Sequence, residues 1–406
     1  MALNLGIGSR ARGGGPSDLD IRMKRVWHIN GRFLGQPVTG VQRYGREILS
    51  ALDELVTSGH PLTRNLDLRV VTPESVKDVP KLKSIAVRRY GGLNGHLWEQ
   101  IQLPMAVSGG GLISLCSTGP LAVGKQCVCI HDLNTRLIPE SFSKGFKAAY
   151  RVLIPALGRT AEAITTVSHY SAKLLNDYSV SGPAKTFVVF NGHEHALRWN
   201  PQHSEKTRAA ADGNTIVVFG TGSPNKNVGL LVGMADELAK SGLRLAVAGA
   251  TDLRVFAASG EIETASNILC LGRLTDSELA ALLQDSLCLA FPSFVEGFGL
   301  PPVEAMALGC PVVVSDSSCL PEICGDAALY ASPREAAQWL QQFLRLRDDA
   351  DLRQTLAAKG RERAKLYSWR ASAERYLELM AKSDRALPVP SVASSQLAGP
   401  TPCHNA

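Results

Sequence analysis

Residues Phe291–Gly309 read FPSFVEGFGLPPVEAMALG. The apolar run that precedes them predicts a strand ending at Pro292, followed by a short loop holding Glu296, Gly297, Phe298 and Gly299. Pro301 and Pro302 predict a helix start, since the first helical turn tolerates proline. Gly309 stands in the usual terminator position, and the spacing predicts Glu304 in the first turn of that helix. Two carboxylates thus bracket a glycine-bearing loop and a helix N-terminus.

That arrangement has a chemical meaning. A helix start offers unpaired N–H groups and the positive end of the dipole, which suits a phosphate. Glycine lets the backbone approach a ligand closely. The carboxylates accept hydrogen bonds from hydroxyls on either side of the phosphate. A sugar nucleotide carries sugar hydroxyls, a diphosphate and ribose hydroxyls in that order.

Outward from this segment, short β-branched runs alternate with helical stretches. Val26–Asn30, Leu68–Thr72, Cys127–His131, Ala163–Val167 and Phe187–Phe190 read as buried strands in the first half. Thr215–Gly220, Leu243–Gly249, Ile268–Leu271, Leu287–Phe291 and Pro311–Ser315 do so in the second. Gly40–Val56, Lys144–Leu157, Val228–Lys240, Thr275–Asp285 and Pro302–Leu308 carry helix-type signals, with a capping box at Thr275 and Glu278. This rhythm predicts an α/β protein with two parallel sheets of Rossmann type, covered by helices and facing a central cleft. The polar stretch Arg198–Asn214 predicts the linker between them. The expected organisation is a flexible arm over 1–22, a first domain over 23–197, a second over 198–367, a helix over 368–382 that packs back on the first, and a disordered tail over 386–406.

Composition narrows the class. The 406 residues are 45% hydrophobic and 20% charged, which excludes a disordered chain, a collagen and a coiled-coil rod. Forty-three Lys and Arg against 37 Asp and Glu give +6, suited to anionic ligands or an anionic membrane surface. A nucleic-acid partner is not expected, for want of a dense basic stripe. Nine cysteines without CxxC spacing predict reduced thiols in a cytoplasmic protein. No apolar run reaches the ~20 residues of a membrane span. GxSxG, HExxH, the full Walker pattern GxxxxGK[ST] and GxGxxG are all absent, which disfavours a dinucleotide oxidoreductase.

The segment EGFGLPPVE, with its Glu–seven residues–Glu spacing, continues as AMALGCPVVVSDSSCLPEICGDAALY. It resembles retaining glycosyltransferases of the GT-B fold, in particular the large bacterial family 4. The likeness is nearly continuous over Leu271–Tyr330 and looser over residues 26–380. The resemblance implies that Glu296 contacts the transferred sugar and that Phe298, Gly299 and Leu300 line sugar and diphosphate through their backbone. It also implies that Glu304 holds the ribose, and that no metal or other cofactor is required. Lys226, in GTGSPNKN (Gly220–Asn227), matches the family's diphosphate-binding lysine. The family's arginine has no counterpart there, so Ser223 or backbone donors are expected to stand in. His131, in IHD (Ile130–Asp132), matches a functional histidine and is expected to project into the cleft. Gly40, in QPVTGVQR (Gln36–Arg43), is the expected point of close approach to the diphosphate. Arg273, in LGRL, is a nucleotide-side candidate, and Trp98–Gln100 is read as packing and acceptor-side structure.

The opening WHINGRFLGQPVTGVQRY resembles mannosyltransferases of exopolysaccharide and O-antigen assembly. It implies a GDP-mannose donor and a polyprenyl-diphosphate-linked oligosaccharide acceptor. Peripheral contact with the inner membrane is expected through Met23–Arg25, Arg32, Arg43 and Arg46, a set that reads equally as a solvated face. A sugar-nucleotide epimerase, a phosphorylase and a non-catalytic sugar-nucleotide binding module remain open as alternatives.

Overall fold

The computed structural model describes residues 24–220, 223–249 and 266–384. The expected arm, the expected tail, and Met23, Thr221 and Gly222 lie outside the described residues.

Among these residues, seven strands build the first sheet: β1 (Arg25–Asn30), β2 (Leu66–Thr72), β3 (Ala86–Arg89), β4 (Gly111–Ser114), β5 (Gln126–Cys129), β6 (Ala163–Thr166) and β7 (Thr186–Val188). They are parallel, in the order β3-β2-β1-β4-β5-β6-β7. A second parallel sheet is ordered β10-β9-β8-β11-β12-β13. Its strands are β8 (Thr215–Phe219), β9 (Arg244–Ala248), β10 (Ile268–Gly272), β11 (Cys288–Phe291), β12 (Val312–Ser315) and β13 (Leu329–Ala331). Central strands β4, β5, β6, β11 and β12 are buried along their whole length, as sheets covered on both faces require. Strand order reverses between β1 and β4 in one sheet and between β8 and β11 in the other. Ligand crevices of open α/β sheets lie at such switch points, beyond the carboxyl ends of the strands.

Helices cover the sheets, among them α1 (Gly40–Thr57), α2 (Lys144–Thr160), α3 (His169–Asp177), α4 (Asp276–Gln284), α5 (Leu300–Ala307) and α6 (Trp369–Ser383). Helix α4 starts on the expected capping box, with the Thr275 side chain accepting from the Glu278 amide and Glu278 reaching back. The expected helix over 228–240 is instead two short ones, Val228–Val232 and Ala235–Lys240. Gly233, the weakest helix former in that stretch, ends the first of them. The expected linker also differs, because Glu205–Ala210 within it is helical. Ser204 and Thr207 cap that turn reciprocally, while Thr207 and Ala210 are buried.

Helix α6 returns the chain to the first sheet. Its Tyr376 hydroxyl lies 2.9 Å from both the Tyr44 hydroxyl and Thr165 Oγ1 in a fully enclosed core. Just past its end, Asp384 accepts from Arg25, Trp27 and Lys125 at 2.6–3.0 Å. The start of α6 is held by Glu194, which accepts from the Trp369 amide and the Ser368 hydroxyl. Two chain crossings, near 191–195 and 367–369, therefore lie side by side between the domains.

Candidate active site

The loops that leave β8 and β11 meet at the second switch point. After β8, Ser223 donates to Asn225 Oδ1 at 2.5 Å, and Lys226 closes a turn whose next residue, Asn227, has φ +51°. After β11, the loop carries Glu296 to within 2.7 Å of the Lys226 ammonium. Lys226 also sits 5.1 Å over the Phe291 ring. Asn225 and Asn227 tie the two loops together through the carbonyls of Val295 and Pro292. Glu296 and Lys226, expected to serve sugar and diphosphate, thus occupy one point. Ser223 serves the turn.

Gly299, at φ +86°, caps α5, and a Cβ there would stand 2.7 Å from the Leu320 side chain. A residue with a side chain meets both a strained backbone and a filled space. Helix α5 begins at Leu300, so Glu304 lies in its second turn, not in the first as expected. From there the carboxylate turns inward. It accepts from His195 Nε2 at 2.8 Å, and His195 Nδ1 accepts from the Trp369 indole at 3.0 Å. That relay runs from α6 through the inter-domain crossing to α5 and fixes the imidazole tautomer. Arg43 Nε approaches the same carboxylate at 3.9 Å.

Phe298 and Leu300 have buried side chains. The Phe298 ring packs edge-on to Tyr367 at 5.3 Å and beside Phe190 at 6.4 Å. Only their backbone is left for a ligand. Gly40 opens α1 with empty space around its Cβ position. Arg273 is exposed where the chain leaves β10.

His131 departs from the expected ring projecting into the cleft. It is 5% exposed, its Nε2 donates to the Leu115 carbonyl at 2.8 Å, and Tyr44 stands edge-on at 4.7 Å. Burial disfavours its charged form, but the Cys129 thiol, the Leu115 carbonyl and Asp132 hold its pKa above the usual imidazole value. Its backbone carbonyl is what reaches the other domain, 2.6 Å from where a Cβ on Gly297 would be. The adjoining Asp132 carboxyl is raised by burial and, less strongly, by Glu296, while Lys226 works against that. Asp132 therefore shares the field of the Lys226–Glu296 pair.

Several inter-domain contacts escape sequence reasoning. Ser168 Oγ donates to the Gly297 carbonyl at 2.6 Å. Glu322 accepts from the His169 and Tyr170 amides at 2.8 and 2.9 Å, capping α3 from the opposite domain. Arg43 grips Asp276 with two bonds of 2.8 and 3.1 Å. The four arginines of the basic set read as a membrane face are engaged within the chain, while Lys24 stays exposed beside Asp67: Arg25 pairs with Asp384, Arg32 with Glu99, Arg43 with Asp276, and Arg46 donates to the Leu34 carbonyl. No local signal pairs Arg25 with Asp384, 359 positions along the chain, or Arg43 with Asp276, 233 positions along it.

The chain is similar to known proteins. Residues 200–363 match the family model "Glycosyl transferases group 1". The O-antigen chain mannosyltransferase RfbU of Salmonella typhimurium is 25% identical over 323 residues, 77% of this chain and 88% of that protein. The O-antigen chain mannosyltransferase B of Escherichia coli is 40% identical over 99 residues, 24% of this chain and 26% of that protein. Among solved structures, sucrose-phosphate synthase of Thermosynechococcus elongatus superposes with TM-score 0.66 at 18% identity, covering 90% of this chain and all of that one. Anabaena Alr3699/HepE, solved with UDP and glucose, gives 0.61 at 17% identity over 89% of this chain and all of that one. Residues 200–363 thus form a glycosyl transferases group 1 domain, and the two parallel α/β sheets of the chain share the GT-B fold of solved glycosyltransferases.

Proposed function

We propose that the enzyme moves mannose from GDP-mannose, with retention at the anomeric carbon, to a glycan carried on polyprenyl diphosphate during O-antigen or exopolysaccharide assembly. The observation that carries the donor site is the Lys226–Glu296 pair at the second switch point, directly under the Gly297 contact with the first domain. The name of the RfbU relative supports mannose and the polysaccharide setting. The UDP found with HepE supports a nucleotide in this cleft and makes a uridine donor the outcome to exclude.

In this reading Lys226, the Gly299 and Leu300 amides and the α5 dipole meet the charge of the departing diphosphate, with no metal required. Glu296 accepts from a hydroxyl of the transferred sugar. Glu304, aimed by His195, accepts from the ribose. His131 and Asp132 close the first-domain side. The anomeric carbon loses its phosphate oxygen as it gains the acceptor oxygen, and the acceptor's proton passes to the departing phosphate.

Among the described residues no helix is long and apolar enough to cross a membrane. Leu97, Ile101 and Met105 are exposed at four-residue intervals, and we place peripheral contact with the inner leaflet there, on the cytoplasmic side. A thermal-shift panel of GDP-, UDP- and dTDP-sugars tests the donor, because a ligand that binds only the folded state raises the melting temperature. GDP-mannose is expected to give the largest shift. A larger shift with a UDP-sugar refutes the GDP assignment, and no shift with any of them refutes the donor site.

A further inference from the structure

Lys226 and Glu296 stand on loops, and a loop fixes a side chain closely only when its own backbone is held. Among the described residues, five other than glycine have a backbone in the left-handed region. Two of the five adjoin this pair: Asn227 at φ +51°, next to Lys226 in the chain, and Ser318 at φ +60°, against Glu296. That region is costly for any residue with a Cβ, and glycine would occupy it freely. Both positions nevertheless carry a side chain, and each side chain bonds a neighbouring loop.

Asn227 ends the turn Pro224–Lys226 and starts the helix Val228–Val232, a change of direction that its left-handed backbone makes in one residue. Its Nδ2 donates to the Pro333 carbonyl at 2.7 Å and to the Pro292 carbonyl at 3.2 Å. Those carbonyls follow β13 and β11, so Asn227 fastens the Lys226 turn to the ends of two strands of the same sheet. Ser318 lies in the loop that leaves β12, and its Oγ accepts from the Glu296 amide at 3.2 Å. Before it, Ser315 Oγ accepts from the Ser317 amide at 3.1 Å; after it, the Leu320 side chain fills the space beside Gly299. The β12 loop thus supports both ends of the segment 296–299.

We propose that Ser318 and Asn227 are positioning residues of the donor site. The Ser318 hydroxyl fixes the Glu296 backbone, and the Asn227 amide fixes that of Lys226. Each acts through its charged neighbour, and the left-handed backbone is what placing that side chain requires. Strain of this kind persists where the surrounding structure over-determines it, and it concentrates at functional sites. The inference rests on the donor-site reading and adds the two groups that set the spacing of its charged pair. It separates two effects at Ser318: the hydroxyl governs the sugar contact, while the Cβ governs the strain.

The test uses the full chain, the nucleotide sugar that gives the parent its largest melting shift, and the free nucleoside diphosphate of that sugar. Calorimetric titration gives the dissociation constant of each. Ser318→Gly and Ser318→Ala both lose the hydroxyl. Each is expected to weaken the nucleotide sugar about three- to tenfold, as losing one hydrogen bond does, and to leave the free nucleotide unchanged. Ser318→Thr keeps the hydroxyl and is expected to restore the parent affinity. Melting temperature is expected to follow the backbone instead, with Ser318→Gly above Ser318→Ala and the β-branched Ser318→Thr below the parent. Asn227→Gly is expected to weaken both ligands by a similar factor, because Lys226 meets the diphosphate they share. A purely structural role lowers the melting temperature and leaves both affinities at the parent value, which overturns the assignment of whichever residue behaves so. A loss in Ser318→Gly shared equally by the free nucleotide, or a Ser318→Thr as weak as Ser318→Ala, overturns the hydroxyl's role. Ser318→Gly melting below Ser318→Ala overturns the strain. A parent that binds no nucleotide sugar overturns the donor reading instead.

Discussion

Lys226 and Glu296 neutralise each other at 2.7 Å while standing on different loops of the second sheet. A diphosphate arriving beside Lys226 competes with Glu296 for the same ammonium, and Glu296 is then released toward the sugar. Replacing the carboxylate by an amide frees Lys226 in advance. Glu296→Gln is therefore expected to bind GDP at least as tightly as the parent. Its turnover is expected to fall about a hundredfold or more, the usual cost of losing one preorganised electrostatic contact in a transition state. Calorimetric titration with GDP and initial transfer rates measure the two effects separately. Equal losses in affinity and rate would place Glu296 outside the sugar's reach.

Glu304 is committed twice, to His195 in the empty protein and to the ribose in the proposed complex. Glu304→Ala leaves the buried His195 N–H without its acceptor. The expected destabilisation is about 1–3 kcal/mol, with GDP affinity weakened by about 1.5–3 kcal/mol from lost charged hydrogen bonds. His195→Ala keeps the carboxylate and removes only what aims it, so its affinity loss is expected to be smaller. Chemical denaturation and GDP titration of both variants give the comparison. Unchanged GDP affinity in Glu304→Ala would mean that Glu304 acts on stability alone.

Gly297 allows the two domains to touch. A Cβ there falls 2.6 Å from the His131 carbonyl, a backbone atom that cannot step aside. Gly297→Ala is expected to hold the cleft open and to lower kcat about tenfold or more, since closure assembles the site. Ser168→Ala removes the 2.6 Å bond to the Gly297 carbonyl without adding bulk and is expected to have a milder effect in the same direction. Small-angle scattering with and without GDP reports closure, and parent-like compaction of Gly297→Ala would refute the contact's role.

Glu278 carries a pH signature. Hydrogen bonds from Ser204 and from Thr275 lower its carboxyl to about 2, against 4.5 for a free glutamate. A depressed folded-state value means that the stabilisation is complete above pH ~4.5 and is lost as pH falls toward 2. The difference in unfolding free energy between parent and Glu278→Gln is therefore expected to be about 0.5–1 kcal/mol at pH 7, the range of a helix cap, and to shrink toward zero near pH 2.5. Guanidinium titrations at pH 7, 4.5 and 2.5 check this, and a difference that does not vary with pH excludes the capping role.

The chain shows its local structure openly. The Thr275–Glu278 capping box, the proline start of α5 and the glycine after it all depend on neighbours within a few residues, and all are found in place. The convergence of Glu296 and Lys226 is also legible, because each follows a strand of the same sheet and the switch point brings those two loops together. The side chains of His131 and Phe298 are less so. Whether a group at a strand or loop end faces a cleft or a core depends on what packs behind it: Leu115 and Tyr44 for the histidine, Tyr367 and Phe190 for the phenylalanine. Glu99 gives no local sign that it is a buried hub, because its donors come from residues 30, 32, 96 and 118.

Hydrophobic periodicity, turn residues and the spacing of the acid pair establish two parallel α/β sheets and a phosphate-suited helix start, since each is a property of a few consecutive residues. The pairing of charges comes only with the packed chain. Arg43 meets Asp276 across 233 positions, and the Trp369–His195–Glu304 relay spans three separate segments. Coulomb and hydrogen-bond energies fall off within a few ångströms in space and take no account of distance along the chain, so these partnerships exist only once the domains have come together.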